Sequence, residues 1–105
     1  MAVPWHIDGA PKLNFPQKSR QLWGGDVSWR SALSYDATVA LIAALRRNPT
    51  RSGVQQALLS SDFSAIGASG TIRFLASGDR NAPVQLVKIV PGSRSRTGYD
   101  FEPVR

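Results

Sequence analysis

The longest ordered run of hydrophobic positions lies between Leu33 and Leu45. Leu33, Ala37, Ala40, Leu41, Ala44 and Leu45 recur at i, i+4, i+7, i+8, i+11 and i+12, one stripe of a helix with about 3.6 residues per turn. Val39, Ile42 and Ala43 make the other face apolar too, which predicts a helix buried on more than one side. Arg46 and Arg47 complement the dipole at its end and Asn48-Pro49 stops it, so the helix is expected over Ser31–Arg47. Thr50 is a suitable N-cap for a second helix, Arg51–Ser60, with Val54, Ala57 and Leu58 turned inward. Gly53 weakens that helix by about 1 kcal/mol relative to alanine. The two form a helical hairpin whose natural partner is a sheet.

Beyond Asp62 the period changes from helical to alternating. In Thr71–Leu75, Ile72 and Phe74 point one way and Thr71, Arg73 and Leu75 the other. Val84 to Val90 is β-rich as well. These strands, near Thr71–Leu75 and Val84–Ile89, are expected to pair as an antiparallel hairpin across the turn signal Ser77-Gly78-Asp79-Arg80-Asn81. Phe63 and Ile66 precede Gly67-Ala68-Ser69-Gly70, a loop whose glycines permit positive φ. Pro91 to Arg105 reads as an irregular tail pinned to the body by Tyr99 and Phe101.

Upstream of the hairpin the pattern is weaker. Met1-Ala2-Val3 is a stub too short to make a good strand, and Pro4 confines any strand there to an edge or an end. Asp8-Gly9 and Ala10-Pro11 mark turns. Phe15, Ser19 and Leu22 share a helical spacing with Pro16 in the first turn, which predicts a short helix over Pro16–Trp23 stopped by Gly24-Gly25. Trp23 and Trp29 flank that Gly-Gly and are expected to wedge the loop, or, for Trp29 and Arg30, to face a cleft. The division is therefore a loop-rich segment 1–30, a helical pair 31–62, a strand pair 63–90 and a tail 91–105.

Composition narrows the classes. A chain of 105 residues with 42% hydrophobic content, three Trp and four Phe is globular and has room for one small core. With no cysteine, disulfides and thiolate metal sites are excluded. No apolar run approaches the roughly 18 residues of a membrane span. Met1 to Pro11 lack the basic and apolar regions of a signal peptide, so a chain made as it stands is expected in the cytoplasm. Thirteen Lys and Arg against seven acids give +6, but the cations are scattered, with only Arg46/Arg47/Arg51 and Arg94/Arg96 grouped. Scattering reads as a solvated surface and makes nucleic-acid binding the least favoured reading. His6 stands alone, the acids are spread, and no serine sits in a G-x-S-x-G elbow, so a non-enzyme without metal or cofactor is expected. Gly67-x-x-Gly70 precedes a strand, whereas phosphate cradles precede a helix N-terminus.

The order of motifs carries more than any one of them. Ser34-Tyr35-Asp36-Ala37 opens the long helix; a short helix follows, then Gly67-Ala68-Ser69-Gly70-Thr71-Ile72-Arg73-Phe74, then Gly78-Asp79-Arg80 and a last strand. From Gly25 to Val90 this resembles the C-terminal part of the type I periplasmic binding proteins, the extracellular ligand-binding receptors of branched-chain amino acid ABC transporters. The resemblance implies an α/β fragment of a doubly wound lobe. It also implies a two-lobed periplasmic parent that closes on an amino acid or similar small polar ligand and delivers it to a permease. Residues near the start of the YDA helix approach the cleft in that family, which makes Trp29, Ser34, Tyr35 and Asp36 the ligand-binding candidates. Tyr35 as a packed ring and Asp36 as an acid at a helix start are the structural alternatives. Half a cleft encloses no ligand, so the chain alone is expected to bind none tightly. The alternative function is a small interaction module that uses the apolar helix to form a homodimer.

Overall fold

Each helix forms where the local signals put it. The computed structural model, which describes residues 1–9 and 13–104, has the order β1 (Ala2–Val3), α1 (Phe15–Trp23), α2 (Trp29–Arg47), α3 (Arg51–Leu59), β2 (Ala65–Gly67), β3 (Gly70–Ile72), β4 (Gln85–Pro91) and β5 (Tyr99–Pro103). The α/β class is as expected: three helices packed with small sheets, including a C-terminal strand pair. α1 carries Pro16 in its first turn and closes at Gly24, whose φ of +74° only glycine adopts without strain. Ser28 caps α2, its Oγ accepting from the Arg30 N–H, so the helix starts two residues before Ser31. Thr50 caps α3 as expected, accepting from the Gly53 N–H. A Cβ at Gly53 would collide with the Asn48 side chain, so the glycine that weakens the helix also lets the α2–α3 connection close.

The phase of α2 differs from the expected stripe. Ala32, Asp36, Ala40 and Ala44 are the buried positions, whereas Ala37, Leu41 and Leu45 are exposed and Leu33 is half-buried. The reason is size. α2 packs on α3 and β2, and alanines on the contact side let those backbones approach while the leucines turn outward. Ala40, Ala44, Ala57, Phe63 and Ile72 form this core, flanked by Val54, Leu58 and Phe74, so the inward stripe expected for α3 is present.

The strand pairing also differs. β3 pairs with β2 in a tight hairpin, and β4 pairs with β1 and β5; every pairing among the described residues is antiparallel. The segment after β3 folds on itself instead of opening toward β4. Phe74 bridges to Arg80, and the Leu75 N–H donates to Asp79 O at 2.7 Å. The tail is a strand because its turn is tied locally. Asp100 accepts from the Arg94 and Ser95 N–H groups, and Gly98 takes a φ of +83°. The stub Ala2–Val3 is a strand after all, on an edge of the sheet and ended by Pro4. The Asp8-Gly9 turn closes through the Gly9 N–H to His6 O; the one expected at Ala10-Pro11 lies outside the described residues.

A second core of Trp5, Ala32 and Ala68, with Ile7, Phe15, Val27 and Trp29 against it, packs the segment after β1 on α1, the start of α2 and the β2–β3 turn. No helix of the described residues is long and apolar enough to cross a membrane.

Candidate functional site

The motifs singled out in the sequence meet at one carboxylate. Asp36 is 3% exposed and accepts from the Ala68 N–H, from the Ser69 hydroxyl and from Arg80 Nη1, the last at 2.8 Å. The YDA helix, the Gly67–Gly70 turn and the Gly78-Asp79-Arg80 loop are thus held together by a single side chain. Gly67 makes room for it, since a Cβ there would collide with Asp36 Oδ1. The other glycine of the pair serves the turn: Ala68 and Ser69 keep negative φ, and Gly70 takes +106°. Both Asp36 oxygens are engaged by protein groups, so its visible work is structural.

The remaining candidates sit in three different surroundings. Tyr35 is half exposed and its ring lies 4.9 Å from that of Phe15, which in turn meets Trp5 edge-on at 6.0 Å. Ser34 shares a shallow groove with Tyr35, its hydroxyl donating to the Arg30 carbonyl. Trp29 is separate from both. It packs against the second core and opens on a cleft of about 540 Å³ between the start of α2 and the β4–β5 face. Trp23, expected to wedge the loop, is largely exposed and lines an apolar groove with Phe15, Leu22 and Ile66.

The cleft walls are Trp5, Ile7, Trp29, Ile89, Tyr99 and Phe101. Arg94 spans one side, pairing through Nη1 with Asp8 and through Nη2 with Asp26 at 2.8 Å, while Arg20 takes the other Asp26 oxygen. The hydrogen bonds from Arg20 and then Arg94 hold the Asp26 carboxyl below its usual range. The hydrogen bonds that Arg94 donates to Asp8 and then to Asp26 raise its guanidinium above its ordinary value. Asp100 is lowered by the Arg94 backbone N–H first. His6 bridges two segments, its Nε2 2.9 Å from Phe101 O and its Nδ1 accepting from the Asp8 N–H at 3.1 Å. That pattern suits the neutral ring with its proton on Nε2. Arg30 lies 4.7 Å from the Trp29 ring centroid and has no carboxylate partner among the described residues.

The sequence points to Trp29 and Arg30 as cleft residues but not to Arg94, Tyr99 or Phe101, because the last segment reads as a tail that Tyr99 and Phe101 only pin; Asp26 carries no local signal of its distant partner. The signal was there in Tyr99-Asp100-Phe101-Glu102, an alternation bounded by Gly98 and Pro103. Among the described residues no group of three or more His, Asp or Glu side chains is placed to hold a metal ion. No protein-family model, curated protein or solved structure matches the chain.

Proposed function

We propose that the chain is the C-terminal part of a solute-binding protein of an ABC transporter, whose whole receptor binds an amino acid or similar small polar ligand. By itself the chain holds that ligand only weakly. The observation that carries this reading is the convergence at Asp36. Motifs recognised by their order along the sequence turn out to be the arms of one buried network, so that order has a physical cause. Trp29 is the candidate that opens on the wide cleft, while Ser34 and Tyr35 border a shallower one. The parent is exported to the periplasm and hands its ligand to a permease.

The reading frame that encodes the chain tests the parentage. A coding region of several hundred residues with an export signal ahead of Met1 is expected; a stop codon immediately upstream overturns it. Calorimetric titration with leucine and with glutamate is expected to give no tight binding. A dissociation constant of about 1 μM, worth about 8 kcal/mol, would overturn the fragment reading.

A second reading, a homodimerising interaction module, is favoured by the outer face of α2, where Leu41, Ile42 and Leu45 are each nearly half exposed. The sheet adds β1 and β5 as edges on which copies can pair. Sedimentation at tens of micromolar separates the two readings, a clean monomer removing the second.

A further inference from the structure

We infer that the cleft between the start of α2 and the β4–β5 face binds a small carboxylate with a planar apolar body, and reads the carboxylate through Arg30. The volume, about 540 Å³, lies within the range of small-molecule sites, and apolar walls with a few polar groups are what such sites require. Tyr99, Phe101 and Ile89 line the cleft from the strands and Trp29 from the helix, so three of these walls are aromatic rings on which a planar body stacks.

The charges decide which ligand fits. Arg94 is already neutralised by Asp8 and Asp26. Both oxygens of Asp26 are held by Arg20 and Arg94, and both of Asp100 by the Arg94 and Ser95 N–H groups. The serine and threonine hydroxyls are committed as well: Ser28 caps α2, and Ser95 and Thr97 bond each other and the Tyr99 carbonyl. An ammonium group entering the cleft would meet no free anion. A carboxylate would meet Arg30, whose guanidinium lies at the Trp29 ring and makes no ion pair with a carboxylate among the described residues. Guanidinium and carboxylate match in shape and charge, and the indole beneath Arg30 extends the surface on which a planar ligand stacks.

The inference rests on the solute-binding reading for its biological sense and narrows the ligand there from amino acids to carboxylates without an ammonium group, but its test needs only the chain. Phenylacetate, phenylacetamide and phenylalanine are titrated separately while backbone and indole N–H resonances are followed by NMR. Phenylacetate is expected to shift Trp29, Tyr99 and Phe101 and to bind about tenfold more tightly than the neutral amide, with phenylalanine also weaker than phenylacetate. Arg30→Gln should erase the preference for carboxylate over amide while the spectrum stays dispersed, and Arg46→Gln, remote from the cleft, should leave it intact. Equal binding of acid and amide, shifts centred on Trp23 and Leu22, or a preference that survives Arg30→Gln would each overturn the assignment. None of those outcomes bears on the upstream reading frame, so the two proposals fail separately.

Discussion

The helical body built from α2, α3, β2 and β3 and the sheet built from β1, β4 and β5 are held by different forces. In the first, alanines, Phe63 and Ile72 make an apolar core, and the one acid of α2 is buried against an arginine and two turn residues. In the second, Val3, Val87 and Pro103 are the buried side chains of the strands, while Leu86, Ile89, Tyr99 and Phe101 remain exposed. The charge pairs there, Arg94 with Asp8 and Asp26 and Lys88 with Glu102 at 3.7 Å, are solvent-facing. Buried contacts are insensitive to salt and costly to break, whereas exposed pairs are worth little and are screened. One half of the molecule is therefore fixed by its interior, the other by its rim.

Replacing Asp36 with alanine is the strongest way to break this contrast. It strands the Arg80 guanidinium, two of whose nitrogens are already buried without an acceptor, and frees the Ala68 N–H. A loss of about 3–5 kcal/mol in urea unfolding is expected, and a loss below 1 kcal/mol would show the network to be dispensable. Gly67→Ala attacks the same network by crowding and should cost about 1–3 kcal/mol, whereas Gly25→Ala, with open space around it, should be close to neutral. Ile42→Glu on the outer face of α2 should hardly change monomer stability. If copies associate through that face, it should weaken the dimer by several kcal/mol on sedimentation, since the charge would be buried unpaired.

The sheet half supplies the smallest effect and a pH signature. The Asp26 carboxyl is lowered in the folded state from an ordinary 3.8, so its contribution is complete above that value and is lost as acid carries the pH through the lower folded one. Asp26 is largely solvent-facing, which limits the contribution to about 1 kcal/mol or less. Resonances of Arg94 and of Asp26 itself are expected to move together below about pH 4, and Asp26→Asn should abolish the coupled movement. Unchanged resonances of both residues across that range would mean that Arg94 does not tie the loop to the cleft.

What the sequence disclosed and what it concealed divide along the same line. Helix ends were legible where Thr50, Pro16 and Gly24 act within a turn of their own position, whereas the Ser28 cap was not, and α2 begins two residues before Ser31. The phase of α2 was hidden because a hydrophobicity count treats Ala40 and Leu41 alike. Backbone proximity distinguishes them, and so does Asp36, whose partners lie far along the chain. Strand partners were hidden for the same reason: β3 and β4 are each credible strands, and only the self-closing Arg73–Asn81 segment and the Asp100-tied turn decide who pairs with whom. Of the candidate residues, Trp29 borders the wide cleft, while the Tyr35 ring packs on Phe15 and Asp36 is taken up by its buried network.

The Asp36 network also bears on how the chain reaches its fold. Its arms join residues 32 and 44 positions apart, so it completes only after the helix has formed and the hairpin and the loop after it have both closed. A near-native intermediate lacking any one arm must keep a carboxylate hydrated at a surface that the finished protein seals. Such an intermediate gains little from partial docking and reopens readily. One acid thereby acts as a proofreader of the fold, granting the full stabilisation only when three separate segments arrive in register.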